Sequence, residues 1–328
     1  MPLKIIRNDI TQVKADAIVN TANPYPKYAS GTDRAIYEAA GAKQLLAQRE
    51  KIGTIHQGKV AVTDAFALPA RFIIHTVGPN WKGGNHGEFD VLRACYDNSL
   101  QKAYDLGCES VAFPLIATGV YGFPKDQALS IAVSCISSFL MNHEMLVLLV
   151  VFDRSSYQLS TRFMDEVQSF IDEATVSVKN AREYIGGRYN RWEAMAEPVM
   201  YQSSFQDDLS FFQPSEDTMS FQEKMFEIMD EKGLVSTDVY KAANIDRKLF
   251  SKIQCNKDYH PKKKTAMAIC IALRLNLEQA KDLLARADWA FSPNKKMDLV
   301  IIAAITHQEY DINVINEVLF ALDLDQLC

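Results

Sequence analysis

The chain has 328 residues, of which 48% are hydrophobic and 23% charged, and its formal net charge is −6. At roughly 100–200 residues per domain this length predicts about two domains. The balance excludes a wholly disordered, collagen-like or disulfide-scaffold chain.

No apolar run reaches the ~20 residues that span a bilayer. The longest, Met145 to Phe152, is of strand length. The start, Met1-Pro2-Leu3-Lys4, lacks the charged, apolar and small-residue order of a signal peptide, so the expectation is a cytoplasmic protein with no membrane partner. The cysteines at 95, 108, 135, 255, 270 and 328 form no CxxC pair, and the histidines do not cluster. Reduced, mostly buried thiols and no zinc site are expected.

Residues 1–175 alternate short strand-like and helix-like segments. Leu3–Arg7, Ala15–Asn20, Lys59–Ala65, Phe72–Val77, Ser110–Leu115 and Leu146–Phe152 are β-branched, aromatic or Leu-rich. Asp90–Leu106 and Lys125–Met141 carry apolar stripes at helical spacing, and Pro124 suits a first helical turn. The alternation predicts a three-layer α/β/α domain around a mixed, mostly parallel sheet. Ligands of such sheets sit beyond the carboxyl ends of the strands, so the loops that follow strands are where chemistry is expected.

Residues 176–219, with Gly186-Gly187, Pro198, Pro214 and an acidic Gln/Ser/Asp-rich run, follow no period and read as a linker. Residues 220–328 read as all helical. Ser236 or Thr237 is expected to cap one helix, Asp246 the next, and Asn276 with Gln279 forms a capping-box pattern. Residues 236–264 hold eight basic and three acidic side chains, a basic stripe that suits nucleic acid or a solvated face.

The loops that follow strands carry the candidate chemistry. Asn20 and Asn23 place two carboxamides after one strand, suited to vicinal hydroxyls or to holding a turn. Asp33 stands just before the apparent helix Arg34–Ala40, as a functional acid or as its N-cap. Gly119 and Gly122, three apart in Thr118-Gly119-Val120-Tyr121-Gly122, can bring backbone N–H groups to a diphosphate or simply make a tight turn. Asp9-Ile10 and Phe152 can hold a base, or be a turn and a core residue respectively. His75, mid-strand, reads as a satisfied buried histidine. There is no P-loop lysine and no GxGxxG, which argues against a nucleotide kinase or a dinucleotide enzyme of that type.

Taken in order, Asn-Asp-Ile-Thr, Ile-Val-Asn-Thr-Ala-Asn, Gly-Thr-Asp-Arg-Ala-Ile-Tyr, Ile-His-Thr-Val-Gly-Pro and Phe-Pro-Leu-Ile-Ala-Thr-Gly-Val-Tyr-Gly-Phe-Pro resemble the macrodomain family, in particular its MacroD-like branch, over residues 1–175. The resemblance implies binding of ADP-ribose, free or on a modified protein. Asp9 and Ile10 would hold adenine with Phe152 beside it. Thr118, Gly119, Val120, Tyr121 and Gly122 would wrap the diphosphate, with Tyr121 near the distal ribose. Asn20 and Asn23 would shape the distal-ribose end, with Asn23 on its hydroxyls, and Gly31 would also contact the ADP-ribose. Asp33 takes the catalytic aspartate position, with Asn20 and Asn23 beside it. The implied chemistry is hydrolysis of ADP-ribose from acidic side chains, or of acetyl from O-acetyl-ADP-ribose, with no metal and no cofactor. The alternative is a non-catalytic ADP-ribose reader. The family's usual glycine run is here Tyr28-Ala29-Ser30-Gly31, which bears on the choice of substrate.

Residues 236–253 with the apolar helix after Lys264 resemble helix-turn-helix domains of the lambda-repressor or Cro type. That resemblance implies contacts to DNA from Arg247, Lys248 and Lys252, with Lys262, Lys263 and Lys264 beside them. A module that binds a protein partner through a solvated basic face is the other reading.

Overall fold

The computed structural model describes residues 2–28, 30–152, 164, 166–172, 219–256 and 259–327. The expected linker, 176–219, lies outside the described residues except at Met219. Strands β1 (Leu3–Arg7), β2 (Ala17–Thr21), β3 (Val60–Asp64), β4 (Phe72–Thr76), β5 (Ser110–Pro114) and β6 (Leu146–Val151) form one sheet in the order β1-β6-β5-β2-β4-β3. β3 pairs antiparallel with β4, and the other neighbours are parallel.

Both faces of the sheet are covered, which is why its central strands carry consecutive apolar residues, such as Ile18-Val19 and Ile73-Ile74, rather than alternating ones. On one face α1 (Gly31–Ala40) and α2 (Ala42–Ile52) pack Ile36, Tyr37, Ala40 and Leu45 against Ile18 and Ile73. On the other, α3 (Glu88–Asp105) and α4 (Lys125–Leu140) pack Leu92, Tyr96, Leu129 and Ile136 against Val19, Ile74 and Phe113. Ile18 and Val19, or Ile73 and Ile74, serve opposite layers because successive strand residues point to opposite faces. Helix α2 went unrecognised in the sequence: it buries only Leu45 and Arg49, too narrow a stripe to register as a period.

The C-terminal part consists, among the described residues, of α5 (Phe221–Glu231), α6 (Ser236–Ala242), α7 (Arg247–Cys255), α8 (Lys263–Ala272), α9 (Leu277–Ala285), α10 (Lys296–Thr306) and α11 (Ile312–Ala321). Their core gathers Met225, Phe250, Ile269, Leu283, Ile301 and Ile315. Val167 and Ile171, from a helical stretch at 166–172, belong to this same core. Asp246 caps α7 by accepting the Leu249 N–H at 2.8 Å, and Asn276 with Gln279 closes a capping box on α9. Neither Ser236 nor Thr237 is a cap. Both lie inside α6, where Asp238 instead accepts the N–H of Val235, the residue before the helix, at 3.2 Å. Among the described residues no helix is long and apolar enough to cross a membrane.

The two parts meet along the open edge of β1. A sheet edge presents unpaired N–H and C=O groups that a folded chain must cover or solvate. Here two carboxamides act as a short partner strand. Asn244 accepts the Leu3 N–H at 2.9 Å and donates to the Leu3 C=O at 2.8 Å. Gln326 accepts the Ile5 N–H at 3.1 Å and donates to the Ile5 C=O at 2.5 Å. Arg7 then pairs with Asp323 at 3.0 Å and stacks over Phe320. Tyr240 donates to Glu144 at 2.8 Å, Lys241 to the Met141 carbonyl, and Asn313 to Ser137 at 3.1 Å. Asn244 also holds φ +54, a left-handed conformation that asparagine tolerates better than alanine.

Asn244→Ala strips a buried N–H and a buried C=O of their partners at once. At roughly 1–3 kcal/mol per stranded group, the unfolding free energy of the full chain is expected to fall by about 2 kcal/mol or more, measured by urea denaturation. An unchanged midpoint would mean that the contact contributes nothing to holding the two parts together.

Candidate functional site

Asn20 is the fourth residue of β2 and is fully buried. Its Nδ2 donates to Asp33 Oδ1 at 2.7 Å. Asp33 is not the helix cap. Ser30 occupies that position and Asp33 lies inside the first turn of α1, its carboxylate turned back onto the sheet. Two effects oppose each other there. The helix N-terminus, the Asn20 amide and the nearby Arg49 favour a carboxylate, whereas burial at 7% exposure disfavours it. Burial wins and pushes the Asp33 carboxyl up to about 6. At about 1.4 kcal/mol per pKa unit, the ionised form weakens folding by about 3 kcal/mol. This loss is absent below the unfolded value, 3.8, and complete once the pH has risen past about 6.

Asn23 sits just beyond the strand, its Oδ1 accepting the Tyr25 N–H at 3.1 Å. Its carbonyl accepts from Arg49 at 3.3 Å, and Arg49 also donates to the Gly53 carbonyl at 2.9 Å. Arg49 is 1% exposed, so a full positive charge is buried behind the asparagine loop. Tyr37, one turn after Asp33, is buried and its phenol is pushed up to about 12, by burial first and then by Asp33. Tyr28 stacks on it with ring centroids 4.5 Å apart. Ala29 lies outside the described residues, and Gly31 opens α1 with φ +60.

The loop after β5 is a closed turn. Thr118 donates to the Leu115 carbonyl at 2.9 Å, the Gly122 N–H to Gly119 at 2.9 Å, and the Phe123 N–H to Ala117 at 3.0 Å. Ala117 holds φ +63, and Gly78 lies so close that a Cβ there would stand 2.9 Å from the Ala117 Cβ. Gly119 faces open space and Val120 is 81% exposed. The Tyr121 carbonyl accepts the Trp81 N–H at 2.9 Å. Trp81 belongs to a loop tied down by Glu88, whose carboxylate takes the N–H groups of Lys82, Gly84 and His86.

Asp9 accepts from the N–H and hydroxyl of Thr11, at 2.9 and 2.8 Å, and starts a short 3-10 turn at Ile10–Gln12. Ile10 is buried. Phe152, which the sequence offered as a partner for a base or as a core residue, is not in the core: it is 76% exposed and flanks the end of β6. The four segments follow β1, β6, β5 and β2, which are consecutive neighbours in the sheet. Asp9-Ile10, Phe152, Thr118–Gly122 and Asn20/Asn23/Asp33 therefore succeed one another along one carboxyl edge. Three inter-strand steps of ~4.8 Å give that line a length of about 14 Å.

The sequence pattern of the Macro domain family matches residues 19–132. A macro domain-containing protein of Chlorobaculum tepidum is 48% identical over 135 residues, which span 41% of this chain and 78% of that protein.

This chain belongs to the macrodomain family.

An O-acetyl-ADP-ribose deacetylase of Citrobacter rodentium is 46% identical to the macrodomain over 141 residues, 42% of this chain and 80% of that enzyme. Among solved structures, an Oceanobacillus iheyensis macrodomain with ADP is 36% identical, with 47% of this chain and 85% of that chain covered and a TM-score of 0.45.

Outside the macrodomain, Arg247 and Lys248 are exposed on α7, and the Lys252 ammonium lies 4.5 Å from the Tyr259 ring. The expected basic group beside them is partly neutralised. Lys263 pairs with the buried Asp298, and Lys264 with Asp325 at 2.7 Å. Sequence reasoning missed Arg49, Trp81 and Glu88. Arg49 sits in a run of charged residues that reads as solvent-facing, and only the fold shows that it turns inward.

Proposed function

We propose that this macrodomain protein binds ADP-ribose along the carboxyl edge of its sheet and hydrolyses an ester of it. The substrate is either O-acetyl-ADP-ribose or ADP-ribose on an acidic side chain. The observation that carries the reading is Asp33: a buried carboxylate, held at 2.7 Å by Asn20, with its protonation midpoint near 6. A base of that strength is ionised at neutral pH and still takes a proton from a bound water. The water oxygen attacks the ester carbonyl of an acetyl group, or the anomeric carbon of the ribose, as its proton passes to Asp33. In the first case the acyl C–O bond breaks and Asp33 returns the proton to the departing ribose oxygen, giving ADP-ribose and acetic acid; in the second the anomeric C–O bond breaks, the side-chain carboxylate leaves and Asp33 passes its proton to solvent. In this reading Asp9, Ile10 and Phe152 hold the adenine, Thr118 to Gly122 the diphosphate, and Asn20, Asn23 and Gly31 the distal ribose. The order of the strands matches the order of those groups in the ligand. The relative named O-acetyl-ADP-ribose deacetylase, which shares this half of the chain, supports the same class of reaction.

The purified 328-residue chain is expected to release free ADP-ribose or acetate from the ester substrates and to leave Arg-linked ADP-ribose untouched. Calorimetry is expected to give a micromolar dissociation constant for free ADP-ribose, about −8 kcal/mol at 1 μM. Binding without turnover on any ester would turn the reading into that of an ADP-ribose reader.

The helical part supports a second activity. Helices α6 and α7 are joined by residues 243–246, and α7 presents Arg247, Lys248, Ser251 and Lys252 to solvent. We propose that this face contacts a nucleic-acid backbone. Duplex binding by the full chain should then weaken steeply with salt, and Lys252→Ala should flatten the log–log slope by about 0.9. Retention of a protein partner, with no duplex shift even at low salt, would favour the protein-interaction module instead.

A further inference from the structure

Asn20, His75 and Thr63 make a polar line across three adjacent strands of the macrodomain, β2, β4 and β3. Asn20 is in register with His75, and Thr63 is paired with Ile73, two residues before His75, so all three side chains share one face. That face is otherwise the apolar layer of Ile18, Ile36, Ile73 and Leu45. A polar line inside such a layer is stable only when its donors and acceptors match.

The matching has a direction. His75 is fully buried, and burial, aided by Arg49, pushes it down to about 3, so the ring is neutral and has one donor and one acceptor. Asn20 Nδ2 lies 3.1 Å from His75 Nδ1. An amide nitrogen only donates, so Nδ1 accepts and the proton sits on Nε2, which donates to Thr63 Oγ1 at 2.9 Å. The other amide proton of Asn20 goes to Asp33, which is thereby addressed as an acceptor. The arrangement leaves Asn20 Oδ1 buried with no hydrogen-bond partner among the described residues. Turning the amide over would give that oxygen no partner either: it would put a carbonyl against the Asp33 carboxylate and against an unprotonated Nδ1, and it would strand both amide protons. The neutral histidine in its Nε2–H form opposes the turn, which would require the ring proton to move to Nδ1 and the Thr63 hydroxyl to donate to Nε2 instead.

We infer that His75 is a positioning residue: the directed chain from Thr63 through His75 to Asn20 keeps Asp33 in its proton-accepting form. The inference rests on the reading of Asp33 as the base. The groups that face Asp33 are Asn20 from β2, Tyr37 from its own helix, Arg49 from α2 and Tyr121 from the loop after β5. Arg49 is the charged one among these at neutral pH and it favours the carboxylate. Of these partners the Asn20 amide is the one that can reverse its sign, because a half-turn exchanges donor for acceptor.

NMR on the whole 328-residue chain without substrate tests this independently of turnover. Nitrogen shifts of His75 in the wild type are expected to show the Nε2–H tautomer; an Nδ1–H tautomer would overturn the inference. The Asp33 carboxyl carbon, assigned by its loss in Asp33→Asn, is expected to titrate near 6 in the wild type. In His75→Leu the amide is free to turn, and the midpoint should rise by about one unit or more. His75→Gln, whose amide can accept from Asn20 and donate to Thr63, should restore it. Thr63→Val removes only the acceptor at Nε2 and should raise the midpoint less than His75→Leu, which serves if that variant does not fold. Hydrolysis should follow: a one-unit rise lowers the ionised fraction about fivefold at pH 6 and hardly at all at pH 8, whereas a merely structural role would lower the rate equally at both. Unchanged Asp33 midpoints in His75→Leu and Thr63→Val would overturn the relay. A displaced midpoint in a protein that turns over no ester supports the relay and removes the hydrolytic reading alone.

Discussion

Asp33→Ala is expected to lower ester hydrolysis by about 10²–10⁴-fold, the usual effect of losing a positioned general base, while ADP-ribose affinity changes only a few-fold. The separation follows from geometry. The Asp33 carboxylate is committed to the Asn20 amide at 2.7 Å and lies at one end of the proposed line of contacts, so it touches the reacting end of a ligand held mainly elsewhere. The wild-type rate is expected to fall about tenfold per pH unit below the Asp33 midpoint of about 6, because only the ionised carboxylate takes the proton. Stability should move the other way. Removing a carboxylate whose midpoint burial has raised stabilises the fold above pH 6, by up to about 3 kcal/mol at pH 7, and leaves it unaffected on this account below 3.8. Single-turnover assays, calorimetry and denaturation at two pH values read the three effects. A variant that turns over at the wild-type rate would reduce Asp33 to an acidic residue in a helical first turn.

Gly119→Val is expected to weaken ADP-ribose binding by more than 100-fold, about 3 kcal/mol, with a thermal midpoint close to that of the wild type. A Cβ at Gly119 meets nothing within 4 Å, and its φ is not in the left-handed region, so the side chain is accommodated in the protein without ligand. It would then stand where the turn closed by the Gly122 N–H to Gly119 hydrogen bond exposes its backbone to the proposed diphosphate. Gly122 is a different case. With φ +68 it requires a left-handed backbone, so Gly122→Ala should lower stability by about 1 kcal/mol whether or not ligand is present. Equal ADP-ribose affinity in Gly119→Val and wild type would place the diphosphate away from this loop.

Much of the site is local in origin and was legible before any fold was known. Asn20, Asn23 and the Thr118–Gly122 loop stand at the ends of strand-like runs and Asp33 at the start of a helix-like one, placements that the residue pattern marks, while the roles assigned to them came from the family resemblance. Their arrangement is not local. The sheet order β1-β6-β5-β2 brings together strands as distant in the sequence as those of Leu3 and Val147, and it is this order that aligns Asp9, Phe152, Gly119 and Asn20 along one edge. The exposure of Phe152 likewise follows from its place beyond β6 rather than from its hydrophobicity.

The sequence by itself determined the α/β class of the first part, the helical class of the second and the residues offered at the strand ends, because strand and helix periods and capping signals act over a few residues. Tertiary structure alone decided the rest. It placed Asp33, offered by the sequence as a functional acid or as a helix cap, in the first turn of α1 beneath Asn20, turned Arg49 inward, paired Lys263 and Lys264 with carboxylates, and set Asn244 and Gln326 against the edge of β1. Each of these depends on which distant group a side chain meets and on how much water is excluded when it does. Burial and long-range hydrogen bonding are properties of the packed chain, and no local pattern of residues encodes them.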